Sequence, residues 1–191
     1  ETRRTYFVKN AEEITHCIQR IALNDSQVAL KELYTYYFYD LLRYSMLYTS
    51  NPRDAEEVVS DTFFMVWNNR KQLLDIKNFN SYIYTVVRNK SISQFRALHI
   101  ENQSIDNIAI DIFAHTNITP EDELISQEEI SEINLAINSL PNKCKIAFKL
   151  VKENHLKYKE AAEILNISVK TLEAHLTTAM KKIREKLKDS I

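Results

Sequence analysis

The 191-residue chain contains no glycine. Glycine lets a backbone turn left-handed, or approach a phosphate closely, without a Cβ in the way. Without it there is no Walker loop, no dinucleotide fingerprint and no Gly-based nucleophile elbow. With 3 prolines as well, the chain lacks the turn residues of an all-β fold. Its 45% hydrophobic content is still enough to bury a core. The expectation is an all-α protein.

Cys17 and Cys144 are too few for a disulfide framework and form no C-x-x-C pair, which suits a reducing compartment. No stretch approaches the roughly 18–20 apolar residues of a membrane span. The first ten residues lack the apolar core of a secretory leader. A soluble, cytoplasmic protein is expected.

The net charge of −1 conceals a segregation. Residues 1–100 carry 13 basic and 11 acidic side chains, residues 101–133 carry none and 9, and residues 134–191 carry 12 and 6. Aromatic residues break at the same place, 16 of 19 lying before residue 100. Charge and aromatic content changing together predict two small helical domains, 1–100 and 128–191, joined by an acidic linker over 101–127. The linker composition also fits a plain surface loop.

Apolar periodicity predicts helices over 11–23, 27–49, 54–69 with Asp54 as N-cap, and 81–98 after a polar loop. Beyond the linker it predicts 121–139, 143–153, 158–165 and 169–187. The last two carry the sharpest local pattern. Ala161, Ala162 and Leu165 give the first an apolar side; Asn166 suits a left-handed cap and Ile167 a plug between helices. Ser168 is placed to cap the second helix, where Val169, Leu172, Leu176, Ala179, Ile183 and Leu187 recur every three or four residues. That arrangement leaves Lys170, Thr171, Glu173, Ala174, His175 and Thr178 outward. It is helix-turn-helix spacing, which puts the start of the second helix in a DNA major groove, with the surrounding +6 attracting phosphates. The same pattern also fits an αα-hairpin that only packs.

Over 54–69 the residues Ala55, Val58, Val59, Thr62 and Val66 form one apolar face. Opposite it lie Glu56, Glu57, Ser60, Asp61, Phe64 and Asn68, an acidic protein-docking surface or a solvated helix side. From 68 to 98 the charge reverses, with Arg70, Lys71, Lys77, Arg88, Lys90 and Arg96 against Asp75 alone. Phe79, Tyr82, Tyr84 and Phe95 are interleaved. Cations that track phosphates, rings that stack on bases and amides that read base edges make a single-stranded nucleic-acid site. The same aromatics also serve as core.

Together these segments resemble the small bacterial sigma factors of the extracytoplasmic-function (ECF) branch. Residues 54–70 are similar to the family's polymerase-docking motif, D-A-E-D followed by two hydrophobic residues and Q-E-T-F…W. The run from Phe79 to Lys90 is similar to its promoter-melting motif, F-x-x-W-L-Y-x-I-A-R-N. Leu140-Pro141 onward to Lys182 is similar to its C-terminal region, L-P-x-x-x-R-x-hydrophobic-F and then a helix-turn-helix.

The resemblance implies a subunit that binds core RNA polymerase and directs it to promoter DNA, with an anti-sigma factor as a further partner. It assigns the N-terminal domain to the β′ coiled coil and the −10 element, the C-terminal domain to the β flap and the −35 duplex, and the linker to the active-site cleft. Glu56, Glu57, Ser60, Asp61 and Phe64 would meet β′. Lys77, Asn78, Tyr82, Tyr84, Arg88, Asn89 and Lys90 would sit at the −10 strand, Asn89 reading a flipped base. Ser168, Lys170, Thr171, Ala174, His175 and Thr178 would line the −35 groove, with Lys181 and Lys182 on phosphates.

Several positions depart from the family pattern. Glu173 and Thr178 stand where a basic residue is frequent, which predicts weak duplex binding. Tyr82 replaces a Trp, Asn166 replaces a Gly, and His155 stands near a common Gly-Leu-Ser stretch.

An enzyme would need a site, and the five histidines are scattered. Glu13 and His16 form one Glu-x-x-His pair, but the second pair of a di-iron bundle is missing. No catalytic residue, metal or cofactor is expected. The remaining alternatives are a helix-turn-helix regulator that binds DNA by itself as a dimer, and a helical adaptor that binds only proteins. Co-elution with core polymerase separates them.

Overall fold

The computed structural model describes residues 11–49, 51–98 and 127–188. The described residues are helical, without strands. The chain divides into two compact units, Glu1–His99 and Ile100–Ile191.

In the first unit, α1 (Ala11–Asn24) buries Ile14, Cys17, Ile18, Ile21 and Ala22, the stripe of a helix with one apolar side. A short turn leads into α2 (Gln27–Ser45), whose first amides are capped by Ser26, with Ala29 N donating to its Oγ at 3.2 Å. The helix ends four residues earlier than expected. Residues 46–49 turn instead, which buries the sequence neighbours Leu47 and Tyr48 together. The next helix, α3 (Pro52–Asn68), starts earlier than expected. Its N-cap is Asn51 and not Asp54: Asp54 N donates to Asn51 Oδ1 at 2.9 Å, while Asn51 Nδ2 donates back to Asp54 Oδ2 at 2.8 Å. Pro52 fits the first turn, where its missing N–H leaves nothing unpaired.

The expected polar loop contains a 3-10 turn, Arg70–Asp75, pinned by buried Leu73. Arg70 lies over the Trp67 ring at 4.6 Å and forms an ion pair with Asp25. Hydrogen bonding from Arg70 holds the Asp25 carboxyl below its ordinary range. Asn78 then caps α4 (Phe79–Leu98), accepting from Ser81 N at 3.0 Å.

The second unit opens with α5 (Gln127–Asn138). The expected start at 121, like nearly all of the linker, lies outside the described residues. The helix expected over 143–153 is two pieces, α6 (Asn142–Phe148) and a π-helical segment, Lys149–Glu153. Its widened turn, closed by Asn154 N donating to Lys149 O at 2.9 Å, carries Leu150 and Val151 both inward. After it come α7 (Tyr158–Leu165) and α8 (Val169–Lys188). Ala136, Ile137, Leu140 and Cys144 pack against Ala179 and Ile183, which fixes the C-terminal half of α8 on α5 and α6.

Among the described residues, three adopt positive φ: Asp25, His155 and Asn166. In a chain without glycine, these hold the left-handed positions. Asp and Asn tolerate them best because their short polar side chains bond locally.

Candidate functional site

The α3 helix presents the two faces its sequence implies. Ala55, Val58, Val59, Thr62 and Val66 are buried, joined by Phe63. Glu56, Glu57, Ser60, Asp61, Phe64 and Asn68 are exposed. Phe64 stands 67% exposed beside the acids, whereas its neighbour Phe63 is 4% exposed and meets the Tyr34 ring at 4.9 Å.

The α4 helix divides its expected residues differently. Lys77 is exposed and Asn78 is occupied as the helix cap. Tyr82 is half-buried against Phe79, with ring centroids 5.9 Å apart, and Asn89 faces solvent. Tyr84 corrects the expectation. It is 2% exposed, packs on Tyr44 at 5.2 Å, and cannot stack on a base; burial raises its phenol pKa well above 10.0.

Arg88 also turns inward. Its Nε is buried without a hydrogen-bond partner, and its charge acts on the Tyr44 and Tyr48 phenols, whose hydroxyls lie 3.1 Å apart. Lys90 leans across to α3, its Nζ 3.4 Å from Asp61 Oδ2. The surface left to solvent on α4 runs through Tyr82, Asn89, Ser93 and Arg96. Arg96 belongs to the basic run expected at a strand, whereas Ser93 does not, although helical spacing from Asn89 reaches both.

The helix-turn-helix is built from caps. Glu160 reaches back to accept from Lys157 N at 2.9 Å, opening α7. Asn166, at φ 55° and ψ 47°, closes it with Asn166 N donating to Glu163 O and Ile167 N to Ala162 O, each at 3.0 Å. These are the two bonds of a Schellman motif, with Asn in place of the usual Gly. Ile164 is buried and Leu165 half-buried, the reverse of the weight given them by the sequence. Ser168 caps α8, accepting from Thr171 N at 3.0 Å.

Along α8, Leu172, Leu176, Ala179 and Ile183 are buried. Val169, expected in that stripe, is exposed because it lies at its edge in the first turn. Ser168, Lys170, Thr171, Ala174, Thr178, Lys181 and Lys182 are all exposed. His175 corrects the expected outward set: it is half-buried, with Nδ1 3.9 Å from the Cys144 sulfur on α6. Burial pushes the Cys144 thiol pKa up, with the Lys182 charge pulling the other way. Among the described residues no helix is long and apolar enough to cross a membrane.

The fold and its exposed faces define a two-unit helical protein whose second unit bears a helix-turn-helix. The sigma-70 region 2 family matches residues 33–99, and the sigma-70 region 4 family matches residues 126–183. Two curated relatives come from Bacillus subtilis (strain 168). The ECF RNA polymerase sigma factor SigM is 26% identical over 162 residues, covering 84% of this chain and 94% of that protein. The ECF RNA polymerase sigma factor SigW is 23% identical over 172 residues, 86% of this chain and 90% of that one.

Two solved structures share the fold. The sigma factor RpoE from Bartonella quintana, in complex with the anti-sigma factor NepR, aligns with a TM-score of 0.64 at 23% identity over 83% of this chain and 96% of that chain. CnrH, in complex with the cytosolic domain of CnrY, aligns at 0.59 and 17% identity over 94% and 97%. The chain belongs to the sigma-70 family, in its ECF branch, and is a sigma factor for transcription initiation.

Proposed function

We propose that this sigma factor works in the cytoplasm through three separate exposed surfaces, each too small to act without the others. The N-terminal domain (1–100) docks core RNA polymerase on the β′ coiled coil through Glu56, Glu57, Ser60, Asp61 and Phe64 of α3. The observation that carries this reading is Phe64, a large aromatic 67% exposed among acids on a helix whose other face is buried. Exposed aromatics rimmed by charge are what protein interfaces cover.

On α4, Asn89 reads a flipped base of the melted −10 strand. Tyr82 stands about two turns earlier on the same side of the helix, and Lys77 and Lys90 track the backbone. A flipped base stays out of the stack only while hydrogen bonds and stacking hold it. On α8, Ser168, Lys170, Thr171, Ala174 and Thr178 face the −35 duplex, with Lys181 and Lys182 on phosphates. The C-terminal domain (128–191) also meets the β flap, and the linker (101–127) passes through the active-site cleft. The complex of RpoE with the anti-sigma factor NepR supports an anti-sigma factor as a further partner of this chain.

The test is co-elution with core polymerase, followed by run-off transcription over a promoter library. Transcription from a defined promoter class is the expected result. Failure to bind core, with DNA binding intact, overturns the reading in favour of a stand-alone regulator.

A further inference from the structure

The polymerase-docking face and the −10 strand surface proposed above are not independent, because one residue from each is paired with the other. Asp61 stands on α3 amid Glu57, Ser60 and Phe64; Lys90 stands on α4 next to Asn89. Their charged atoms lie 3.4 Å apart. The lysine side chain is 33% exposed and the aspartate 61%, so Lys90 has laid its stem against the helix pair and turned its ammonium towards the carboxylate. In this state the cation meant for a strand phosphate is held on the polymerase side. The carboxylate meant for polymerase is partly neutralised by the chain's own lysine.

We propose that the Asp61–Lys90 pair couples the two surfaces. Engagement of Asp61 by core polymerase releases Lys90 for a phosphate of the −10 strand, and capture of Lys90 by the strand releases Asp61 for polymerase. The coupling is reciprocal, as linkage requires. It rests on the functional reading above, and its size is bounded by what an exposed ion pair is worth, roughly two- to fivefold in affinity. Its consequence is a free chain that binds single strands and polymerase each somewhat less well than its surfaces permit, and a polymerase-bound chain whose strand surface is complete.

The experiment is a double-mutant cycle on the full chain with Asp61→Asn, Lys90→Met and both together, with Glu57→Gln as a control that removes an equal charge from the same face. Strand binding is read by anisotropy of a fluorescein-labelled oligothymidylate with the chain alone. Core binding is read by competition for core polymerase. Asp61→Asn is expected to raise oligothymidylate affinity roughly two- to fivefold at low salt. It should also steepen the plot of log affinity against log salt by about 0.7, the value of one added phosphate contact on a single strand. Neither change should occur in the Lys90→Met background, and with Glu57→Gln both should be clearly smaller than with Asp61→Asn. Lys90→Met is expected to raise core affinity by a similar factor, and to do so only while Asp61 is present.

Strictly additive effects in the cycle, or an equal gain from Glu57→Gln, overturn the coupling and leave the two surfaces standing. Unchanged core affinity on Asp61→Asn, together with unchanged strand affinity on Lys90→Met in the Asp61→Asn background, overturns both the coupling and the surfaces beneath it.

Discussion

Adjacent phenylalanines on α3 give the docking proposal its sharpest test. A phenylalanine brings about 150–250 Å² to a contact. With 67% of Phe64 exposed, roughly 100–170 Å² of it remains to be covered by a partner. At ~25 cal/mol per Å² that area is worth about 2.5–4 kcal/mol if the ring is fully buried. Phe64→Ala should therefore weaken core polymerase binding by at least roughly tenfold, and by several hundredfold if coverage is complete. Folding stability should change by no more than about 0.5 kcal/mol, since the ring packs on little within the chain. Phe63→Ala is the counterpart. That ring is 4% exposed, so its loss should cost about 3–5 kcal/mol of stability. This is a large share of the about 5–15 kcal/mol that holds a domain together. The assays are fluorescence competition for core polymerase and thermal unfolding by circular dichroism. If Phe64→Ala keeps core affinity within twofold, or lowers Tm as Phe63→Ala does, the division of α3 into a core face and a docking face is wrong.

Asn89→Ala should keep the closed promoter complex and lose the open one, read by permanganate reactivity at the −10 element; normal melting refutes its role as base reader. Burial keeps the Tyr44 and Tyr84 phenols protonated in the folded chain well above 10.0, where the unfolded chain ionises. Their contribution to stability is therefore complete below about pH 10 and falls as pH rises beyond it; Tyr84→Phe should flatten that alkaline loss, and an unchanged slope refutes the assignment. The chain alone should bind promoter duplex weakly and with steep salt dependence, because exposed Glu173 sits among the residues proposed to face the groove and phosphate contacts dominate. Promoter affinity then arises from tethering weak modules on one polymerase, and nanomolar, sequence-specific binding by the chain alone at physiological salt refutes this.

What could be read from the residues follows how local each determinant is. Both faces of α3 were legible because every member is set by one helix's own period, from Ala55 to Asn68. The helix-turn-helix was legible for the same reason: Asn166 and Ser168 act within three residues of themselves, through bonds to Glu163 and Thr171. Even the missed cap of α3 is a local exchange, since Asn51 and Asp54 each bond the other and the residue with the extended backbone takes the cap. Distant partners were out of reach. His175 leaves the set expected to face outward because Cys144, 31 residues earlier on another helix, lies beside it. The Asp61–Lys90 pair spans 29 residues, and no pattern in either helix announces it.

The strand surface on α4 shows a different kind of error, one that elementary geometry corrects. Chemical type along a run of sequence groups its residues together, but a helix turns roughly 100° per residue. Taking Tyr82 as the origin, Asn89 lies within roughly 20° of it, whereas Tyr84 lies roughly 160° away and Arg88 roughly 120° away on the same side as Tyr84. Tyr82 and Asn89 can therefore meet one nucleotide strand together; Tyr84 and Arg88 cannot join them without unwinding the helix. The burial of Tyr84 and of the Arg88 Nε follows that division, and so does the exposure of Ser93 and Arg96 further along the Tyr82–Asn89 side. Lys90, roughly 80° from Tyr82 on the other flank, falls on the boundary with α3. It is the member of the group that lies between the two proposed surfaces, and its pairing with Asp61 follows from that position.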